Sequence, residues 1–545
     1  MGSRVHAALR GLLFLASPLL TTMRLVGTNV RSSCIAGGGV ACEDGRATER
    51  QTCDPLFEFY SSPRGTALLV NGRPAPKADQ RAMENHLATG LALTHSSAQK
   101  WNVNDRMKAL HVHGASVAVI HQGAIEWAAG YGDRQTDGPA VDTSTVFNFA
   151  SVSKAVTAVA VMRLAQDGRL DLDRDVNAYL KRWKVPQNQW TEQRAVTARM
   201  ILNHTAGFGE SLGHINSRSN VPTLLQELDG LPPETDPPVR VKMLPGSRFE
   251  YSSAGYLVLE LLIEDVTGET FGTAMQSLVF TPLGMKRSTF VQPLPASQAE
   301  NAASAFVSRQ KVGMPADQYV CSNLPAGGLW STPTDVAKLA LEIRAAALGK
   351  SSRVLNKASA QEMLRPSAEG FPLAARGKLY RPNEHWGLGL ELGGSPQHPF
   401  FDHAGGGPYE SFMFLYLNGD GMVVATNYEH GSRLIHEFLV SASSVYHWPN
   451  FQTEQHPAHK LSAGEIDALV GNYADGIRVE RMKAGLVFHM EGEQSSDVIF
   501  PWSPTRFILA GRALELHFEI DPKTHRAVAI NVQSQQDTFR VPRAP

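Results

Sequence analysis

The first sustained hydrophobic pattern begins at Gly114. Gly114-Ala115-Ser116-Val117-Ala118-Val119-Ile120, a polar turn at Gln122-Gly123, and Ala124-Ile125-Glu126-Trp127-Ala128-Ala129-Gly130-Tyr131-Gly132 predict two strands joined by a hairpin, the start of an antiparallel sheet. Over residues 151–166 the spacing changes. Val152, Val156, Val159, Ala160, Val161, Met162 and Leu164 cover nearly the whole circumference of a helix, which predicts a central, buried helix there. Thr332-Pro333-Thr334-Asp335 carries the turn and N-terminal signals of a further helix over residues 336–348. A second hairpin is expected from strands at 411–417 and 421–427 around Asn418-Gly419-Asp420.

Two stretches lie outside this pattern. Residues 25–105 read as a poorly patterned extension with one helix expected around residues 80–93. Residues 448–460, with Pro449 and Pro457, read as a linker. Beyond it Leu514, Leu516, Phe518 and Ile520 alternate with Glu515, His517 and Glu519, and Val528, Ile530 and Val532 repeat the period of two. The expected plan is therefore an extension over 25–105, a main domain over 106–447, the linker, and a small all-β domain, barrel or sandwich, over 461–545.

Composition narrows the function. The 51 Lys and Arg against 52 Asp and Glu in 545 residues give a formal charge of −1, so no long-range field favours nucleic acid or an anionic membrane. A small-molecule substrate is the default. In residues 1–24, Arg4 and Arg10 precede an apolar run over 11–20 that has the length of a signal-peptide core and falls short of a membrane span, so export without stable membrane insertion is expected. Of the four cysteines, Cys34, Cys42 and Cys53 cluster after that leader, where one pair is able to close a small loop in an oxidising compartment. Cys321 would then stay unpaired.

Candidate chemistry starts at Ser151-Val152-Ser153-Lys154. S-x-x-K at a helix start puts Lys154 one turn from Ser151 on the same face, an amine beside a hydroxyl. A serine hydroxyl needs a base to become a useful nucleophile, and a lysine serves as one when burial or nearby positive charge lowers its pKa. Downstream, Tyr251-Ser252-Ser253 follows a Pro245-Gly246 turn, and Asp402-His403-Ala404-Gly405-Gly406-Gly407 sets a histidine beside a glycine-rich strand.

This order, S-x-x-K, then Y-x-S, then H-x-G, resembles the three motifs of penicillin-binding proteins, class C β-lactamases and their esterase and D-aminopeptidase relatives. Phe149-Ala150 before Ser151, Leu202-Asn203-His204-Thr205-Ala206-Gly207-Phe208, Pro325-Ala326-Gly327-Gly328-Leu329-Trp330-Ser331-Thr332 and Trp386-Gly387-Leu388-Gly389 also look like segments of that family, and Leu469-Val470-Gly471-Asn472-Tyr473 is similar to its appended lipocalin-like domain. The resemblance implies an α+β fold, an antiparallel sheet flanked by helices with an all-helical lobe, followed by the all-β domain. It implies an acyl-enzyme on Ser151, with Lys154 and Tyr251 as the proton-handling pair and either of them as the acylation base. The backbone N–H groups of Ser151 and Gly406 would form the oxyanion hole, and Ser253, His403, Ala404 and Gly405 would contact substrate.

Two departures bear on that substrate. Ser253 stands where β-lactamases have Asn, and His403-Ala404 where they have a Lys-Thr pair that helps bind the antibiotic's carboxylate. The pattern resembles esterase and D-amino-acid-peptide hydrolase members more, so a small-molecule ester, amide or lactam is expected, with a carboxylesterase first and a D-amino-acid peptidase, DD-peptidase or weak β-lactamase as the alternative. No cofactor or metal is called for. A non-catalytic binder on the same fold and an acyltransferase stay open as rivals.

Other features receive blander readings. Gly209-Glu210-Ser211-Leu212-Gly213 matches the nucleophile elbow of α/β-hydrolases in letters but lacks its strand and helix, which leaves a surface loop. His111, His113 and His121 lack an acid at ligand spacing and read as a solvated strand edge. His204 reads as a structural turn histidine, and Asp171 with Asp173 as a helix-terminating turn.

Overall fold

The computed structural model describes residues 69–70, 73–74, 78–88, 90–93, 100–209, 215–216, 220–307, 313–366, 385–482, 485–490, 497–509, 514–533 and 538–544. The expected leader, Cys34, Cys42, Cys53 and Ser211 lie outside the described residues. Leu69–Val70 and Arg73–Pro74 pair antiparallel in a small unit of their own.

The main unit is built on a seven-stranded antiparallel sheet. In chain order its strands are β1 (Gly114–His121), β2 (Ala124–Gly132), β3 (His385–Trp386), β4 (Glu391–Ser395), β5 (His398–Gly405), β6 (Glu410–Tyr416) and β7 (Gly421–Thr426). They lie in the order β3-β4-β5-β6-β7-β1-β2, so the N-terminal hairpin joins the C-terminal meander at the β7–β1 pair. Both faces are covered, and this is why the strands read as continuous apolar runs. On β6, Met413 and Leu415 enter one core while Phe412, Phe414 and Tyr416 enter the other. The first core holds α1 (Ser153–Gln166), α2 (Ala254–Thr267) and α3 (Pro333–Ala347); the second holds α4 (Ser432–Tyr446).

As the residue pattern requires, α1 is buried all round: eleven of its fourteen residues are out of contact with water. Its start differs from expectation. Residues 150–152 form a separate 3-10 turn and the α-helix begins at Ser153, because the Ser153 hydroxyl donates to the carbonyl of Ala150 (2.6 Å) and tightens the entry. Helix α3 begins at Pro333, with the Thr332 hydroxyl accepting from the N–H of Asp335.

Three expectations are corrected. The helix expected over 80–93 is Ala78–Asn85 only; Leu87 then pairs with Trp101, Gly90 takes φ +60°, and Leu91–Leu93 is a strand. The linker is anchored at its start, since Trp448 and Phe451 are buried in the second core and Glu454–His456 pairs parallel with Leu91–Leu93. Val528 faces outward and not inward, because a bulge between Glu519 and Ile520 leaves it as the extra residue of its strand while Ile530 and Val532 remain inside.

The C-terminal segment is a nearly closed antiparallel barrel. Its strands are β8 (Gly471–Tyr473), β9 (Ile477–Met482), β10 (Gly485–Met490), β11 (Asp497–Pro501), β12 (Arg506–Leu509), β13 (Leu514–Ile520), β14 (Ala527–Gln533) and β15 (Thr538–Pro542), paired in sequence order. Hydrogen bonds from Ala474 N to Pro542 O (2.8 Å) and from Ala544 N to Asn472 O (2.9 Å) bring the last strand back to the first. Phe488, Phe507, Phe518 and their neighbours fill the interior. No described helix is long and apolar enough to cross a membrane.

Candidate active site

The site forms where the 3-10 turn before α1 meets the end of β5. Ala150, just before Ser151, adopts φ +43°, a left-handed conformation costly for a residue with a Cβ. Its surroundings hold it there. Asn148 accepts from the Ala150 N–H (2.9 Å) and donates to Gly327 O (3.0 Å), and Phe149 N donates to Leu329 O (2.8 Å). The Ser153 hydroxyl, besides capping Ala150, accepts from Leu329 N (3.0 Å), and the Ser411 hydroxyl donates to Phe149 O (2.8 Å). The turn is thus tied on one side to the Pro325–Leu329 segment and on the other to β6. Ser151 is left partly exposed at its crest.

Lys154 is fully buried, and its Nζ lies 3.1 Å from Ser151 Oγ and 3.2 Å from the carbonyl of Ala326. The second contact exists because Leu324–Gly327 forms a helical turn against α1, fastened by the Thr157 hydroxyl to Pro325 O (3.0 Å). The amine also sits 4.9 Å from the ring centre of Tyr251 and 5.7 Å from that of Tyr256. Ser151, Lys154 and Tyr251 are thereby brought together from two distant parts of the chain.

The loop carrying Tyr251 is pinned at each residue that follows. Ser252 N donates to His204 Nδ1 (3.1 Å), the Ser252 hydroxyl donates to Gly209 O (2.9 Å) and accepts from Gly255 N (3.0 Å), and Asn323 donates to Ser253 O (3.1 Å). Ser253 itself is buried at the start of α2.

On β5 the alternation of faces sorts the third motif. Phe401 enters the first core and Gly405 packs against the 3-10 turn that carries Ser151, whereas the methyl of Ala404 packs in the second core. His403 shares the face of Phe401 and Gly405; its Nδ1–H donates to the carbonyl of Ala404 (2.8 Å) and its ring meets the edge of Trp386 at 5.6 Å. The side chain of Ala404 points to the other side of the sheet, so any contact of this residue with substrate would come from its backbone. A Cβ on Gly405 would lie 2.3 Å from Phe149 O and 2.4 Å from Ser411 Oγ, so only glycine lets the strand approach the turn this closely. Gly406 is exposed beyond the strand end.

Asn148, Ser153, Asn323, Ala326 and Ser411 were not picked out as site residues by the residue pattern. Glu410 was also missed. Its carboxyl lies near Gly406, and burial pushes its pKa well above the carboxylate range, opposed by a hydrogen bond from the backbone of Gly407. Of these, Ser153 lies inside the S-x-x-K segment and Ala326 inside Pro325–Thr332, and only the tertiary contacts reveal their roles. Cys321 is buried and free, its thiol pushed up to about 12 chiefly by burial, which makes it inert as a nucleophile at neutral pH. No group of three metal-ligating side chains occurs among the described residues.

Known proteins resemble this chain in sequence and in fold. Protein flp of Staphylococcus aureus strain MRSA252 is 28% identical over 203 residues, 37% of this chain; the chain spans 40% of that relative's length. Penicillin-binding protein 4 of Amycolatopsis lactamdurans is 29% identical over 323 residues, covering 58% of this chain and 80% of the relative. Among solved structures, the octameric penicillin-binding protein homologue from Pyrococcus abyssi superposes with a TM-score of 0.54 at 19% identity, covering 80% of this chain and 97% of its own. The D-amino acid amidase from Ochrobactrum anthropi SV3 superposes with a TM-score of 0.51 at 21% identity, covering 63% of this chain and 97% of its own. At these identities the likeness is one of fold. The family model for the beta-lactamases matches residues 101–440, which contain the whole nucleophile turn, the Tyr251 loop and the seven-stranded sheet, and the chain belongs to that family of serine hydrolases.

Proposed function

We propose that this protein hydrolyses small carboxylic esters through an acyl-enzyme on Ser151. The observation that carries the reading is the 3.1 Å contact between Ser151 Oγ and the Nζ of a lysine fully buried behind it. In the proposed reaction Ser151 Oγ attacks the ester carbonyl and its proton passes to the Lys154–Tyr251 pair. The carbonyl oxygen becomes an oxyanion held by the N–H groups of Ser151 and Gly406. Collapse expels the alcohol, which takes up the proton, and water then attacks the acyl-enzyme to release the acid and restore Ser151.

The departures in the second and third motifs support an ester over a β-lactam. His403 is buried with one nitrogen committed to the backbone, and Ala404 supplies neither a hydroxyl nor a side chain on the Ser151 side. A free carboxylate on the substrate therefore lacks the Lys-Thr pair that β-lactamases offer it. The likeness to D-amino acid amidase keeps amide hydrolysis as the second reading. We further read residues 1–24 as a leader for export, 106–447 as the hydrolase domain and 461–545 as an appended domain.

Initial rates on p-nitrophenyl butyrate, nitrocefin and a D-alanyl p-nitroanilide, for wild type and Ser151→Ala, test this. Ester turnover that disappears in Ser151→Ala is the expected result. D-alanyl or nitrocefin turnover exceeding ester turnover would move the protein to the peptidase or β-lactamase reading.

A further inference from the structure

His204 contributes more than a turn. It is almost fully buried at φ +59°, a backbone conformation unusual for a residue with a Cβ, and its own carbonyl accepts from Glu250 N (2.8 Å) while its Nδ1 accepts from Ser252 N (3.1 Å). These two bonds grip the chain on either side of Tyr251. Between them the imidazole lies against the face of the Tyr251 ring, with centroids 4.3 Å apart and planes 32° from parallel. The edge of Trp386 backs the imidazole at 4.8 Å, and Tyr256 lies at 5.6 Å. The Tyr251 ring thus has the His204 imidazole at 4.3 Å and the Lys154 amine at 4.9 Å from its centre.

We propose that His204 is the positioning residue for Tyr251, fixing the phenol's distance and orientation relative to Lys154 and Ser151 through one tilted ring contact and two hydrogen bonds, accepted by its carbonyl and its Nδ1, from the backbone N–H groups on either side of Tyr251. The inference rests on the reading that Tyr251 shares proton transfer with Lys154. Positioning of this kind affects the rate more than binding, because a displaced phenol fails in the transition state whether or not substrate is bound. Charge state supports the role. Burial first, then the nearby Lys154 and His403, hold the imidazole well below its ordinary pKa, so no cation is added beside the lysine at neutral pH.

The test is a double-mutant cycle in the full-length protein, with ester turnover as the readout and rate of fluorophosphonate labelling where turnover is too slow. His204→Phe keeps an aromatic ring and loses the acceptor; His204→Asn keeps an acceptor and loses the ring, and stands in if the first variant fails to fold. The expected result is a fall in kcat of about 10-fold or more with KM changed less than threefold, and no further fall when the same change is made in Tyr251→Phe. A folded variant whose kcat stays within threefold of wild type, or a loss of equal size in the Tyr251→Phe background, would overturn the proposal. Wild-type turnover in Tyr251→Phe alone would instead remove the proton-transfer reading on which it rests.

Discussion

In the proposed reaction Lys154 is the residue on which the chemistry turns, and its surroundings are unusual for a lysine. It has no exposed surface, its amine meets the Ser151 hydroxyl and the Ala326 carbonyl, and the rings of Tyr251 and Tyr256 lie 4.9 and 5.7 Å away. A group in that setting is kept for function, since an apolar side chain of similar length would fill the space without the cost of desolvating an amine. Lys154→Met is accordingly expected to lower ester kcat on the order of 10³-fold while the melting temperature holds or rises. Activity assays beside thermal unfolding would check both halves, and a large loss of stability with retained activity would contradict the assignment. That Ser151, Lys154 and Tyr251 lie together was legible in the sequence because each carries a chemically distinctive group at a motif spacing. The residues that hold them were not. Asn148 and Ser411 act through single hydrogen bonds to the backbone of the nucleophile turn, and Ser411 reaches it across 262 positions of the chain. Nothing local distinguishes such a serine from any other strand serine.

At the level of elements, the site depends on how closely β5 approaches the turn before α1. Gly405 is the contact point, and a methyl there would drive the strand from Phe149 O and Ser411 Oγ. Gly405→Ala is expected to reduce kcat on the order of 10²-fold by misaligning the Gly406 N–H with the Ser151 N–H, with about 1–3 kcal/mol lost from stability. Steady-state kinetics and chemical denaturation measure the two effects separately; unchanged kinetics would mean that the strand end plays no part in orienting the reacting carbonyl. Helices α1 and α3 and the hairpins β1–β2 and β6–β7 were readable from the hydrophobic pattern, since burial on both faces or all round leaves a strong signal, whereas α2, α4, β3 and β4 were not read from it. Elements governed by backbone hydrogen bonds were read less well. The 3-10 turn at Ala150–Val152 arises from the Ser153 hydroxyl, and Val528 escapes the barrel interior because of one bulged residue on its strand. Period counting assumes regular geometry and misses both.

At the scale of the molecule, three separate hydrophobic cores among the described residues share the work of folding, two on the faces of the sheet and one inside the barrel. The first core also contains carboxyls that make stability depend on pH. Glu227 has its pKa raised to about 8, chiefly by burial and further by the nearby Glu234 and Asp236. Its folded value lies above its unfolded one, so the stability it contributes is complete below the ordinary carboxyl pKa and is lost as pH rises toward about 8. Between those limits wild-type stability should fall by up to about 1.4 kcal/mol per pH unit from this group, and Glu227→Gln should flatten that slope. Equal slopes for the two proteins in urea titrations from pH 5 to pH 8 would contradict it. The broad architecture, a mixed sheet-and-helix unit followed by an all-β barrel, followed from pattern and resemblance together, whereas the pairing of Leu91–Leu93 with Glu454–His456 joins segments that carry no shared signal. The most direct test of the account treats the intact protein with a fluorophosphonate and maps the modified peptide by mass spectrometry. A single adduct on Ser151, absent in Ser151→Ala, is the predicted result; an adduct on another serine, or turnover of ester without any adduct on Ser151, would contradict the central claim.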